Sequence, residues 1–390
     1  MAACAPSGHQ AACGPQPAQA VAEPQRPPAS DHAVSKQEPQ GSAASSLARQ
    51  QRPAASASAP WASAAAPPAP AAAPGAAAAS AAAARASVAQ ALRGAQGAAR
   101  RAASPACAFT RFEHERWEAA VSPYDRIFGR LTALAARDVV GHALARAPSS
   151  GPGLDCATGP GYVVEEALRR GVPGGELVAA DFSAGMLRRA RERVPDPAVE
   201  WLEADIQEPL PTALRGRFAW CSCNFGVLHL ARPEDFFAAA LQALRPGGLF
   251  VFTVWADVAR SPAFQIPLGA IERHGSMDVG LPPGPPFFKY SDPRVAEEAL
   301  ARAGFEAATV SAELVDMRWE LDAPEDLWTV FLEGTARTGG ILEKQTPAAR
   351  EAIERAMRDA VVAAQGGSGD APPPYALPQP CLRVSASAPG

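Results

Sequence analysis

The chain has 390 residues, 47% of them hydrophobic, with 36 basic against 40 acidic side chains and a formal net charge of −4. Residues 1–105 hold eight of the Lys and Arg and three of the Asp and Glu, about +5, which leaves 28 basic against 37 acidic, about −9, for the remainder. An acidic body without a basic stripe is a poor nucleic-acid binder, because phosphate neutralisation supplies most of that affinity, and no run of 18 or more strongly apolar residues predicts a membrane span.

About half of residues 1–105 are Ala or Pro, with few large apolar side chains. Such a segment buries too little surface to offset the entropy of ordering, so it is expected to be a disordered extension with an Ala/Arg helix around Ala76–Ala103. It has no charged-then-apolar secretory signal. Its Ser, Ala and Arg content fits either an organelle transit peptide or a plain extension, so the expected location is cytoplasmic or, with a transit peptide, an organelle. The seven cysteines (Cys4, Cys13, Cys107, Cys156, Cys221, Cys223 and Cys381) are scattered and odd in number, which argues for reduced thiols. Cys221 and Cys223 share one face of a strand-like run and read as core thiols rather than a metal or redox pair.

From about Ala106 the sequence reads as one folded domain over 106–390. Trp117, Tyr124, Ile127, Phe128, Leu131 and Leu134 recur at helical spacing over 113–147, with a break expected at Pro123. Strand and helix signals then alternate: strands over Gly153–Ala157, Glu176–Ala180, Val199–Ala204, Phe218–Phe225 and Leu249–Trp255, and helices over Tyr162–Arg170, Ala184–Arg193 and Pro233–Leu244. This alternation predicts an α/β fold with a mainly parallel sheet. Further on, helices are expected over Pro262–His274, Pro293–Ala303, Pro324–Thr338 and Thr346–Gln365. One strand is expected over Phe305–Glu320 and a last one over Pro378–Ala386.

Ligands in such sheets gather at the carboxyl ends of the strands, where Asp155, Asp181, Asp205 and Asn224 fall. Asp155-Cys156-Ala157-Thr158-Gly159-Pro160-Gly161 is a turn whose small residues let backbone approach a ligand at a helix start. Asp181 follows Gly161 by about 20 residues, the spacing of a ribose-binding carboxylate. Asp205 ends strand three, where an acid can take an adenine amino group. Asn224 and His229 follow strand four, and Pro246-Gly247-Gly248 stops a helix before strand five.

In order, DCATGPG, LVAADFSAGMLRRAR, VEWLEADIQEPLP, FAWCSCNFGVLHLARPE and LRPGGLFVFTVWA resemble the motifs of class I S-adenosylmethionine (SAM)-dependent methyltransferases, over about residues 117–320. The likeness is greatest to the small-molecule branch that includes quinone-biosynthesis enzymes. The resemblance implies a Rossmann-like seven-stranded, mainly parallel sheet with helices on both faces and an antiparallel last strand. It implies SAM as cofactor, with Asp155, Ala157 and Asn224 at the cofactor site and Gly159 and Gly161 under the methionine part. Asp181 would hold the ribose, Met186 would lie against adenine, Asp205 and Ile206 would form the adenine edge, and Tyr124 would close over the cofactor. The sequence departs from the usual turn in carrying Ala157 where its first glycine stands.

Methyl transfer to a nucleophile that loses a proton needs a base, and His229 is the candidate, with helix capping as its other reading. Asn224 either orients substrate or ends its strand. Trp255, Phe287, Phe288, Tyr290, Trp319, Trp328 and Phe331 are expected in the cover over the acceptor, within 262–370, and point to a small hydrophobic or aromatic methyl acceptor. No metal site is expected. Two other classes remain open here: a non-catalytic methyltransferase-like scaffold, and an NAD(P)-dependent oxidoreductase. The second does not predict Asp205 or the LRPGG element.

Overall fold

The computed structural model describes residues 108–147, 151–366 and 373–390. The extension over 1–105, including the helix expected at Ala76–Ala103, lies outside the described residues, as do Cys4, Cys13 and Cys107.

Helix α1 (Ala108–Pro123) does not stop at its proline. Pro123 lacks an N–H, and the ladder re-forms one residue later through a widened π-helical turn over Tyr124–Phe128, which feeds α2 (Gly129–Arg146). The expected break is therefore a bulge in a continuous helical path. It stacks Tyr124 and Phe128 with their centroids 5.7 Å apart.

The alternating stretch forms β1 (Gly153–Cys156), α3 (Tyr162–Arg169), β2 (Leu177–Asp181), α4 (Ala184–Arg193), β3 (Glu200–Glu203), β4 (Phe218–Asn224), α5 (Pro233–Ala243) and β5 (Leu244–Trp255). There follow α6 (Pro262–His274), α7 (Pro293–Ala303), β6 (Ser311–Val315), β7 (Arg318–Leu321), α8 (Asp326–Glu333), α9 (Arg337–Glu343), α10 (Pro347–Ala363), β8 (Tyr375–Pro378) and β9 (Cys381–Ser387). Both α6 and α7 begin and end where the sequence predicts: each has a proline in its first turn and a glycine just past its end.

The main sheet runs β3-β2-β1-β4-β5-β9-β6. Pairings among the first five strands are parallel, and β9 is antiparallel to both β5 and β6. Seven strands with one reversed member match the implied sheet. Residues alternate between its two faces. Leu177, Ala179, Leu249 and Val251 pack with α2 and α3, while Val178, Ala180, Phe250 and Phe252 pack with α5 and α7. Burial on both faces explains why the central strands read as continuous apolar runs. Cys156, Cys221, Cys223 and Cys381 are buried free thiols, and Cys221 and Cys223 do share a face.

Two expectations fail beyond β5. The single strand over Phe305–Glu320 is two: β6 lies on the main sheet's edge, whereas β7 pairs with β8 in a separate two-stranded sheet. The reason is the alternation at Trp319 and Leu321, which are buried between exposed Arg318 and Glu320, the pattern of a strand with only one covered face. The helix over Pro324–Thr338 is likewise split, because the α8 ladder ends at Gly334 and α9 restarts after Ala336.

Candidate functional site

The strand order reverses between β1 and β4, and the carboxyl ends of the flanking strands open onto a cleft. Its floor is built by backbone. Ala157 and Gly159 both take left-handed φ, at 53° and 54°, and a side chain at Gly159 would project into open space. Asp181, at the tip of β2, ties this turn down. One carboxylate oxygen accepts from the Gly159 N–H at 2.8 Å and the other from the Ser183 N–H at 2.9 Å. Ser183 caps α4 by accepting from the Met186 N–H at 3.0 Å, which fixes Met186 in the cleft wall. Burial pushes the Asp181 carboxyl up to about 6. Asp205, after β3, accepts from the Gln207 N–H at 2.9 Å and its side-chain amide at 3.0 Å, and with Ile206 forms the next stretch of wall.

On the other side, β4 ends in Asn224, whose side-chain oxygen accepts from the Thr253 hydroxyl at 2.7 Å and whose nitrogen donates to the Thr132 carbonyl at 3.0 Å. The amide thus staples α2 to β5 at the cleft margin. Phe225 follows with a φ of 59°, a strained value for a non-glycine residue, and its ring stacks on Trp255 at 3.9 Å. Gly226 is needed at its position, since a Cβ there would lie 2.6 Å from both the Ala157 methyl and the Cys223 sulfur. The short turn Val227–His229 then presents the imidazole. His229 Nδ1 sits 3.0 Å from Glu113 Oε2, and its ring meets Trp117 edge-on at 4.8 Å.

Of the residues singled out in the sequence, Tyr124, Ala157, Gly159, Asp181 and Met186 line the cleft, as do Asp205, Ile206, Asn224 and His229. Asp155 and Gly161 do not. Asp155 lies behind the turn, in the core, where it accepts from the Ser222 hydroxyl at 2.7 Å and burial raises it to about 7. Gly161 precedes α3 with a φ of 87°, and a Cβ added there would lie 3.1 Å from the Ala190 Cβ, so its part is helix placement. Tyr124 donates to the Thr132 hydroxyl at 3.2 Å, and loss of solvent raises its phenol to about 12. The aromatic cover also differs from expectation. Trp255 and Phe287 face the cleft, whereas Phe288, Tyr290, Trp319, Trp328 and Phe331 pack elsewhere in the core. Trp117, Phe128, Phe182, Phe225 and Phe264 stand in the cleft wall instead.

Glu113, Trp117, Thr132 and Gln207 were not among the expected site residues. Glu113 and Trp117 stand four apart on α1, so they share one helix face, and that spacing was the available signal. Gln207 carried none.

A nucleoside bearing a cationic sulfur suits this floor. Acids at the tips of β2 and β3 line it, and an open cradle lies above Gly159. Among the described residues no cluster of metal-ligating side chains is found, and no helix is long and apolar enough to cross a membrane.

Residues 154–248 match a family described as a methyltransferase domain. The chain is 33% identical over 100 residues to the ubiquinone/menaquinone biosynthesis C-methyltransferase of Stutzerimonas stutzeri (strain A1501), a stretch covering 24% of this chain and 38% of that relative. The chain thus spans well under half the length of the relatives it matches; the homologue from Pseudomonas savastanoi pv. phaseolicola is 32% identical over the same shares. Among solved structures, phosphoethanolamine N-methyltransferase 2 of Haemonchus contortus, in complex with phosphomonomethylethanolamine and S-adenosylhomocysteine, is 17% identical with a TM-score of 0.41. That overlay covers 72% of this chain and 60% of that one. A methyltransferase from Bacillus halodurans C-125 is 18% identical with a TM-score of 0.40, covering 65% and 100%. The matched domain, the ordered motifs and the seven-stranded sheet are similar to those of class I SAM-dependent methyltransferases, whose cofactor is S-adenosylmethionine.

Proposed function

We propose that the chain transfers a methyl group from SAM to a small hydrophobic or aromatic acceptor, with residues 106–390 as the catalytic domain and 262–370 supplying part of the acceptor cover. The observation that carries this reading is the asymmetry of a single cleft: an acid-and-glycine floor on one side, and Trp117, Phe128, Trp255, Phe264 and Phe287 on the other. The quinone-directed name of the Stutzerimonas stutzeri relative fits an aromatic acceptor.

SAM supplies the activated methyl group, and the work left to the protein is alignment. Holding nucleophile and methyl in line is worth up to roughly 7–11 kcal/mol in effective molarity. Asp181 keeps free lone pairs on both carboxylate oxygens for ribose hydroxyls, and Asp205 accepts from the adenine amino group. Met186 and Ile206 pack the base. Asn224 acts in this reading as a staple that keeps the end of β4 aimed at the cleft, and His229 faces the acceptor as the proton-accepting group. The aromatic wall excludes water and holds a flat ring.

Calorimetric titration of SAM into the full chain, beside Asp181→Ala, tests the reading. Micromolar binding to the wild type and at least a tenfold loss in the variant are expected. Absence of binding in a folded wild-type sample would favour a non-catalytic scaffold.

A further inference from the structure

The cleft holds one ionisable pair that the motifs do not explain. Glu113 belongs to α1, upstream of the matched domain, and its side chain is 1% exposed. Its Oε2 lies 3.0 Å from His229 Nδ1 and accepts from the Trp117 indole N–H at 3.1 Å. Its Oε1 is buried without a hydrogen-bond partner. A buried carboxylate oxygen without a donor is costly, and an apolar side chain would fill the same space without that cost. His229 is 19% exposed and lines the cleft, and with Nδ1 engaged its Nε2 is left for the cleft. Trp117 braces both members, since its ring packs against the imidazole while its N–H holds the carboxylate.

We propose that Glu113 is a positioning residue that fixes His229 with the proton on Nδ1, so that Nε2 stands bare toward the cleft as the acceptor of a substrate proton. This rests on the methyltransferase reading and narrows its substrate class to acceptors that lose a proton on methylation, such as a phenol, an enol or an activated ring C–H. In that step the acceptor's proton passes to Nε2. The electron pair released at the acceptor forms the new bond to the methyl carbon, and the departing sulfur keeps the pair of the bond that breaks. The imidazolium so formed is neutralised by the Glu113 carboxylate at Nδ1. A neutral amine already carries a lone pair and draws no such benefit from the pair.

The tautomer of His229 tests this without substrate. In the full chain with 15N-labelled histidine at pH 8, long-range 1H–15N spectra separate Nδ1–H from Nε2–H forms, and His229→Gln assigns the signal among the six histidines. A hydrogen bond to a carboxylate favours the Nδ1–H form by about ten to one or more. Glu113→Gln keeps an accepting oxygen and retains the form, whereas Glu113→Leu loses it. An Nε2–H wild type, or a Glu113→Leu protein with the wild-type tautomer, overturns the proposal. If the leucine variant does not fold, the wild-type tautomer alone decides. Failure of the wild type to bind SAM, with the Nδ1–H form intact, removes the methyltransferase reading and leaves the pairing standing.

Discussion

The floor and the cover of the cleft are built by different means. The floor comes from consecutive strand ends, and backbone and short side chains make it: three left-handed residues in the glycine turn, one carboxylate pinning that turn, one capped helix. The cover comes from α1, the π-helical turn, α6, the loop before α7 and the α8–α9 junction, and bulky rings make most of it. Floor positions are specified by conformation, so few residue types fit each. Cover positions are specified by volume, so several do. Substitutions on the floor should therefore act through backbone and cofactor, and those on the cover through packing and acceptor.

Both regions nevertheless hang on β5, which pairs with β4 on one side and β9 on the other. Phe250 is fully buried there, within about 6 Å of the rings of Phe236, Phe237, Phe252 and Phe305. Phe250→Ala should cost about 3–5 kcal/mol. Urea unfolding followed by circular dichroism and tryptophan fluorescence should give coincident transitions at a lower midpoint. Separate transitions would show that floor and cover are independent units joined only in space.

A smaller effect is expected at Gly226, where the added methyl of Gly226→Ala would fall 2.6 Å from the Ala157 methyl. Overpacking of this kind costs about 1–3 kcal/mol. Because Ala157 sits in the glycine turn, SAM affinity should fall as well. Combining it with Ala157→Gly removes one of the two clashing atoms and leaves the Cys223 sulfur, so part of the loss should return. A double-mutant cycle with a coupling of at least about 0.5 kcal/mol is the expected signature. Additive losses would mean that the turn and the β4 end are not in contact, and the floor would lose its claim to be one unit.

The same contrast governs what could be read in advance. The motif strands were legible because both faces of each central strand are buried and the turns fall on Gly, Pro and Asp. The floor residues followed, apart from Asp155 and Gly161: their types fit the motif, but their side-chain directions place them behind the cleft. Past Trp255 the reading fails at β6–β7 and α8–α9. Both breaks depend on which distant element covers a half-buried stretch, and Trp319 owes its place to Phe128, nearly two hundred residues away in the chain, at 4.6 Å. The aromatic wall was misassigned for the same reason. Composition predicts that rings gather there, but only tertiary packing chooses Phe264 over Phe331. Glu113 shows the limit most clearly, because its partner is 116 residues distant.

The mildest test concerns a single floor charge. Burial lifts Asp181 to about 6, above the ordinary 3.8 of an aspartate. Between those values the folded protein holds a proton there that the unfolded chain has released. This group's contribution to stability is therefore present at low pH and is lost as pH rises through about 6. Ligand binding has the opposite demand, since ribose hydroxyls need the ionised carboxylate as acceptor. SAM affinity should accordingly be flat above pH 7 and fall about tenfold by pH 5, one unit below the midpoint, where only about a tenth of the carboxyl is ionised. At pH 6, binding should release about half a proton, read from calorimetric enthalpies in buffers of different ionisation heat. A cover residue carries no such charge, so Phe287→Ala should leave the pH profile unchanged. Affinity that is constant from pH 5 to 7.5 would mean that Asp181 serves only to hold the glycine turn, and that the floor grips its ligand through backbone alone.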